Sequence, residues 1–141
     1  MTAAPRTVVV GYDGSATARR AFDLAAERAE GGTLYVVYAY DVPGPMKSGN
    51  AYDRVVGQHK QFGQDVLAGL PELPDVTVER ELIGDHPAVA IARVAEVREA
   101  DEIVVGSRGF SPLRAALGST SHELLHRAHC PVTVVPVQPG E

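Results

Sequence analysis

Cysteine is nearly absent from this sequence, and long apolar runs are missing altogether. The 141 residues include one cysteine, Cys130, which cannot form a disulfide within the chain. The N-terminal residues lack the extended apolar stretch of a signal peptide, and no run of 18 or more apolar residues occurs. We therefore expect a cytoplasmic protein that does not span a membrane.

Blocks of like charge are missing as well. The chain has 13 Lys+Arg and 18 Asp+Glu, a formal net charge of −5. Nucleic acids and anionic membranes are bound through clustered basic residues, so neither is an expected partner. With 45% hydrophobic and 22% charged residues, the composition predicts one ordinary globular domain over residues 1–141.

Three motifs of catalysis and phosphate binding do not occur. The chain contains no Walker P-loop, no G-x-G-x-x-G fingerprint and no G-x-S-x-G nucleophile elbow. No pair of side chains stands out as a catalytic acid and base. We therefore predict no catalytic residue.

Five short apolar runs, separated by segments with helical periodicity, are what the chain does contain. A buried or half-buried strand is predicted for each run, and the runs cover residues 7–10, 34–40, 76–83, 103–105 and 132–135. The alternating third run is typical of an edge strand. Ser15 is a good N-cap for the first helix. A second helix is expected from about Tyr52 to Leu70, although Gly57 and Gly63 weaken its middle, and the last helix is expected from about Ser119 to His129. This order predicts an α/β fold, a mostly parallel five-stranded sheet with helices on both faces.

A glycine-punctuated segment after the fourth strand is the most informative part of the sequence. Gly106 closes the strand, and Gly109 and Gly118 would let backbone amides approach an anion. Residues 119–121 would begin a helix whose unpaired N–H groups suit a phosphate, and Arg108 could add charge.

A simpler interpretation of the same segment is a helix cap. Thr120 and Glu123 match the T-x-x-E capping box, in which case the glycines only serve the turn. Residue types alone leave phosphate binding and capping open.

Asp13 follows the first strand, so its carboxylate is expected at the carboxyl edge of the sheet. There it could accept hydrogen bonds from a ribose or a purine amine. The alternative is an ordinary Asp-Gly turn.

Residues 122–126 read H-E-L-L-H, which matches the H-E-x-x-H motif of zinc proteases. The motif lacks a third ligand, because His129 stands where metzincins have glycine and Glu141 is the sole acidic residue beyond it. We therefore expect the histidines to flank an inward helix face. That face would consist of Ser121, Leu124, Leu125 and Ala128. Cys130 is expected to be a small buried residue.

Five segments, taken in their order and spacing, resemble the universal stress protein family. They are V-G-Y-D-G-S at 10–15, G-D-H-P-A at 84–88, and the segments 101–109, 118–121 and 129–136. The likeness covers about residues 5–137. It implies a Rossmann-like doubly wound fold with strand order 3-2-1-4-5, and a homodimer formed through the C-terminal strand at 132–137.

The resemblance also implies a ligand, because many members of the family bind ATP. By this likeness Tyr12 and Asp13 would face the adenosine, and Ala39 and Tyr40 would wall the adenine. The ribose and phosphates would be held by Gly106, Arg108, Gly109, Gly118, Ser119, Thr120 and Ser121. The implied cofactor is ATP, with or without Mg²⁺.

The implied role is that of a sensor or switch in a stress response. ATP would order residues 42–60, and its hydrolysis would be slow at most.

One departure from the family pattern leaves the ligand open. Eight residues separate Gly109 from Gly118, whereas ATP-binding members usually have nine, and Pro112 stiffens this loop. The nucleotide could therefore be ATP, AMP or cyclic AMP. The alternative function is a dimeric scaffold of the same fold that binds no nucleotide.

Overall fold

Strands and helices alternate along the chain. The computed structural model describes residues 4–41, 50–107 and 118–138, and every structural statement refers to these. The elements are β1 (Thr7–Gly11), α1 (Ala16–Arg28), β2 (Thr33–Tyr40), α2 (Asn50–Ala68), β3 (Thr77–Gly84), α3 (Pro87–Val97), β4 (Glu102–Gly106), α4 (Ser119–Arg127) and β5 (Val132–Val135). Ser15 caps α1 as predicted, because its side chain accepts a hydrogen bond from the Ala18 amide at 3.1 Å.

The five strands form one parallel sheet in the order β3-β2-β1-β4-β5. This confirms the predicted α/β, Rossmann-like doubly wound fold. β3 lies at an edge, as its alternating pattern predicted, and exposed residues alternate along its first half. β1 lies in the middle, and its apolar run is buried on both faces of the sheet.

Two apolar cores lie on opposite faces of the sheet. Successive side chains of a strand point to opposite faces, so Val8 and Val10 pack under α1 and α2 while Val9 packs under α3 and α4. Phe22 of α1 and Leu124 of α4 are among the largest fully buried side chains in these cores. The helices therefore cover both faces and leave the strand ends accessible.

The predicted boundaries of the five strands and of α2 and α4 differ from the observed ones by at most two residues, and the expected loop at 42–60 is the larger error. Residues 50–60 belong to α2, so the expected loop at 42–60 is too long; the second helix, expected from about Tyr52 to Leu70, is observed two residues earlier at both ends. The rest of the expected 42–60 loop lies outside the described residues. α4 ends at Arg127, because the backbone of Ala128 is extended. β5 spans Val132–Val135 as predicted and ends there because Pro136 has no N–H for a further ladder bond, so the segment 132–137 expected to form the dimer extends two residues beyond the strand.

No helix in the described part of the chain is long and apolar enough to cross a bilayer.

Candidate functional site

The strand order reverses direction between β1 and β4, and this point determines where the site lies. From β1 the chain proceeds outward through β2 to β3, and it then crosses back to β4 and β5 on the other side. In open α/β sheets, ligands bind beyond the carboxyl ends of the strands at such a switch point. β1 ends here at Gly11 and β4 at Gly106.

A cavity of about 720 Å³ opens at this place. Its volume lies within the range of pockets that hold small molecules and cofactors. The walls come from the ends of β1, β2 and β4, from one side of α2, and from the first turns of α3 and α4.

Nine of the eleven residues predicted for the site line this one cavity. They are Tyr12, Asp13, Ala39, Tyr40, Gly106, Gly118, Ser119, Thr120 and Ser121. The other two, Arg108 and Gly109, lie outside the described residues. The structure thus brings the described residues together, and their role in binding a nucleotide stays a prediction.

Asp13 lines the cavity and also forms the turn that was its alternative interpretation. Its Oδ1 accepts a hydrogen bond from the Ser15 amide at 2.9 Å, and Gly14 has a φ of +84° that favours glycine. The turn holds the carboxylate at the end of β1. The two interpretations are therefore compatible.

The tyrosines at the ends of β1 and β2 differ in how they contribute. The Tyr12 ring is buried and makes an edge contact with Phe22, with ring centroids 6.0 Å apart, so much of it belongs to the core. Tyr38 is buried and lines the cavity, although the sequence prediction did not include it. Burial, followed by the charge of Asp13, raises the pKa of the Tyr38 hydroxyl. The signal for Tyr38 was its position two residues before Tyr40, which places both on one face of β2.

The N-terminus of α4 is built differently from the predicted capping box. Gly118 is the N-cap, and no side chain caps the helix, so the Thr120–Glu123 box is wrong. The buried Ser121 hydroxyl donates to the Gly118 carbonyl at 3.1 Å, and the Gly118 amide donates to the Ser107 carbonyl. Because the first N–H groups of a helix have no intrahelical acceptor, this end of α4 presents donors to the cavity.

His86 is a residue of the cavity wall that the sequence prediction missed. It is the N-cap of α3, and its Nε2 lies 3.0 Å from Oε1 of Glu123 while its Nδ1 lies 3.6 Å from Oδ1 of Asp41. It thus joins the end of β2 to α4 across the site. The available signal was its place in the turn directly after β3, at the carboxyl edge of the sheet.

The H-E-x-x-H residues do not gather further ligands. Glu123 accepts a hydrogen bond from Arg127 at 2.5 Å, which, ahead of the bond with His86, lowers the pKa of its carboxyl. His122 and His126 are exposed, and no group of three His, Cys, Asp or Glu in the described residues could hold a metal ion.

Two expectations about the end of the chain need correction. Leu125 is 50% exposed and not part of the inward face, because the helical repeat buries Ser121 and Leu124 and turns the next residue outward. Cys130 is only partly buried. Burial, with the charges of Asp101 and Glu102, raises the pKa of its thiol, so it is a poor nucleophile.

The family model and the curated relatives that match this chain identify the same family. The family model described as "Universal stress protein family" matches residues 5–136. A universal stress protein of Thermus aquaticus is 34% identical over 135 residues, which cover 92% of this chain and 98% of that protein. One from Methanocaldococcus jannaschii is 32% identical over 141 residues, covering 92% and 81%.

Solved structures show the same architecture. The universal stress protein UspA from Lactobacillus plantarum superposes with a TM-score of 0.71 at 26% identity, covering 95% of this chain and 99% of that one. A universal stress protein in complex with cAMP gives 0.65 at 26%, covering 92% and 96%. A family protein from Arabidopsis thaliana with AMP bound gives 0.65 at 19%, covering 96% and 94%, a likeness of fold alone.

Proposed function

We propose that this chain, which belongs to the universal stress protein family, binds an adenine nucleotide in the cavity at the carboxyl edge of its sheet. One observation carries the proposal: the N-terminus of α4 opens into the same cavity as Asp13 and Ala39. A site suited to an anion, at the start of α4, therefore lies next to a site suited to a polar ring, at Asp13 and Ala39. The cAMP complex of a related protein supports an adenine nucleotide as the occupant.

The phosphates are proposed to lie at the start of α4. The backbone N–H groups of Ser119, Thr120 and Ser121 and the positive end of the helix dipole provide the attraction. Gly118 has no side chain to obstruct their approach. The family resemblance adds Arg108 and Gly109, which are outside the described residues.

The nucleoside is proposed to lie against the ends of β1 and β2. Asp13 carries an acceptor that suits a ribose hydroxyl or the adenine amine, with Tyr12 beside it. Ala39 and Tyr40 are half-buried and form the wall on the other side. The ribose would then lie over Gly106, between the part of the site that holds the phosphates and the part that holds the base.

ATP is the proposed ligand, with Mg²⁺ bound through its phosphates because the described protein residues offer no metal-holding cluster. We expect slow turnover. Asp13 accepts a hydrogen bond within its own turn, and His86 is paired with Asp41 and Glu123, so neither side chain is well placed to act as a general base. Slow hydrolysis of bound ATP fits the role of a cytoplasmic sensor or switch better than that of an ATPase.

A homodimer through the C-terminal strand is part of the proposal. β5 is an edge strand, and its four residues Val132–Val135 are all half-buried in the single chain. An edge of this kind can pair with a second copy. Nucleotide occupancy would then be communicated to the dimer or partner surface. Light scattering during gel filtration would give the mass of the particle, and a monomer would contradict this part.

Isothermal titration calorimetry with ATP, paired with two variants of Ser119, tests the proposal. Ser119→Glu places a negative charge on the exposed first residue of α4, where acidic side chains favour the helix. It should keep the fold and abolish the heat of ATP binding by repelling the phosphates. Ser119→Gln, similar in size but uncharged, should retain most of it. Absence of heat with the folded wild type at millimolar ATP would overturn the proposal.

The choice among ATP, AMP and cyclic AMP needs a second measurement. Mass spectrometry of nucleotide that copurifies with the protein identifies the preferred ligand directly. If phosphates at the start of α4 dominate binding, ATP should be found and should displace AMP and cyclic AMP in competition. Finding cyclic AMP alone would contradict the triphosphate.

A further inference from the structure

Phe62 is an apolar ring that lies half in solvent at the edge of the proposed nucleotide site. It is 52% exposed on α2, and it lines the cavity together with Gln58 and His59, which lie one turn before it. Two other large apolar side chains among the described residues are comparably exposed, Val97 and Leu125, and neither lines the cavity. An exposed aromatic ring beside a ligand cavity is a candidate contact for the ligand.

The Phe62 ring is held in place by the residues beside it. At Gly63, an added Cβ would lie 2.5 Å from Cδ1 of Leu82 and 2.7 Å from Cδ1 of Tyr38, so the α2 backbone rests directly on the sheet there. The Phe62 and Tyr38 rings meet edge to face, with centroids 6.1 Å apart and planes at 60°. A ring fixed in this way loses little entropy when it stacks on a ligand.

Tyr38 connects Phe62 to the part of the cavity proposed for the nucleoside. Tyr38 and Asp13 line the same cavity, and the hydrogen bond from the Tyr12 amide to the Val37 carbonyl at 2.9 Å places the residues that precede them side by side. Burial, followed by the charge of Asp13, raises the pKa of the Tyr38 hydroxyl. The neighbour of Tyr38 in β2 is Ala39, which lines the same cavity. Asp13, Tyr38 and Phe62 therefore all line one cavity, and the rings of Tyr38 and Phe62 are in contact there.

We propose that Phe62 is a base-stacking residue of this site, with its exposed ring face packed against the aromatic base of the bound nucleotide. The inference rests on the proposed function and deepens it. Stacking on an aromatic ring tolerates every base, because every base has a π face. Phe62 thus contributes affinity, and preference for adenine is left to the polar groups near Asp13.

A tryptophan placed at this position reports stacking directly, since the chain has none of its own. In Phe62→Trp, ATP should quench the indole fluorescence, because a base would lie on the ring. Tripolyphosphate, which has no base, should leave the emission unchanged. The matched control is Val97→Trp at the far end of α3, where the side chain is 69% exposed and ATP should have no effect.

Truncation of the Phe62 side chain measures how much the ring contributes to ATP affinity. Phe62→Ala should raise the ATP dissociation constant about tenfold, equivalent to about 1.4 kcal/mol, and leave tripolyphosphate binding unchanged. Phe62→Tyr should restore wild-type affinity. ATP binding that is equally strong in Phe62→Ala, with no quenching in Phe62→Trp, overturns the stacking proposal alone. A wild type that fails to bind ATP overturns it together with the proposed function.

Discussion

Replacement of Glu102 by glutamine should destabilise the fold more than any exposed charge substitution. Glu102 begins β4, and its side chain is only 4% exposed. Its carboxylate accepts hydrogen bonds from Arg6 at 3.2 Å, from Arg28 at 3.1 Å and from the Thr133 hydroxyl at 2.5 Å. These contacts join the residue before β1, the last residue of α1 and the edge strand β5 to one buried group. An amide of the same size keeps one acceptor oxygen and can donate to the Thr133 hydroxyl, but it loses the negative charge and places an NH2 donor beside the arginine donors.

The size of the effect follows from the exposure of the partners. The part-buried bond with Thr133 changes from a bond to a charged group, worth about 1.5–3 kcal/mol, to a neutral one, worth about 0.5–1.5 kcal/mol, so this weakening costs about 1–1.5 kcal/mol. The arginine side chains are 42% and 44% exposed and can be rehydrated, so each contributes about 0.5 kcal/mol. We expect the free energy of unfolding to fall by about 2–2.5 kcal/mol and the Tm by about 8 °C.

Urea denaturation monitored by circular dichroism measures this loss. The matched control is Glu79→Gln, because Glu79 is an exposed residue of β3, and its effect should stay within about 0.5 kcal/mol. A double-mutant cycle with Thr133→Val isolates the buried hydrogen bond. Equal stability of the Glu102 and Glu79 variants would refute the reasoning.

Two further predictions concern α2 and α4. Gly57→Ala should raise the free energy of unfolding by about 0.5–1 kcal/mol, because alanine favours a helix and the added Cβ would meet no atom within 4 Å. Gly63→Ala should lower the free energy of unfolding by about 1 kcal/mol or more, because the added Cβ would press on Tyr38 and Leu82. Denaturant midpoints showing the same sign for both would contradict this. Glu123 has a lowered pKa, so wild type should be more stable than Glu123→Gln above pH 4.5 and lose that advantage as pH falls through the lowered value. Melting curves from pH 7 to 3 test this, and a gap that widens in acid would be inconsistent with it.

The fold could be predicted because its signals are local. The run Thr7–Val10 is β-branched and closed by glycine, which is typical of a central strand of a parallel sheet, and the structure buries it on both faces. The alternation in β3 indicated an edge. Gly11 and Gly106 each follow an apolar run directly, so the sequence alone indicates where β1 and β4 end and therefore where the carboxyl edge of the sheet lies.

Residues missed by the prediction depend on contacts between distant segments. Glu102 receives its arginines from positions 96 and 74 residues away, and no local pattern indicates that a carboxylate at the start of a strand is buried. Phe62 lies beside the cavity because Gly63 lets α2 approach Tyr38 closely. In the sequence, that glycine looked like a defect in a helix. The helical period alone does not reveal which side of a helix meets a cavity.

The net charge of −5 does not oppose an anionic ligand as strongly as its value suggests. Glu102 lies at the amino end of β4, about 13 Å from the carboxyl end by the rise of a strand, and its charge is offset there by Arg6 and Arg28. Near the cavity, Glu123 is paired with Arg127, and His86 lies between Glu123 and Asp41. The carboxylates at the site are thus largely engaged with cationic or hydrogen-bonding groups. Phosphate affinity should therefore depend on the backbone amides at the start of α4, which no change of surface charge removes.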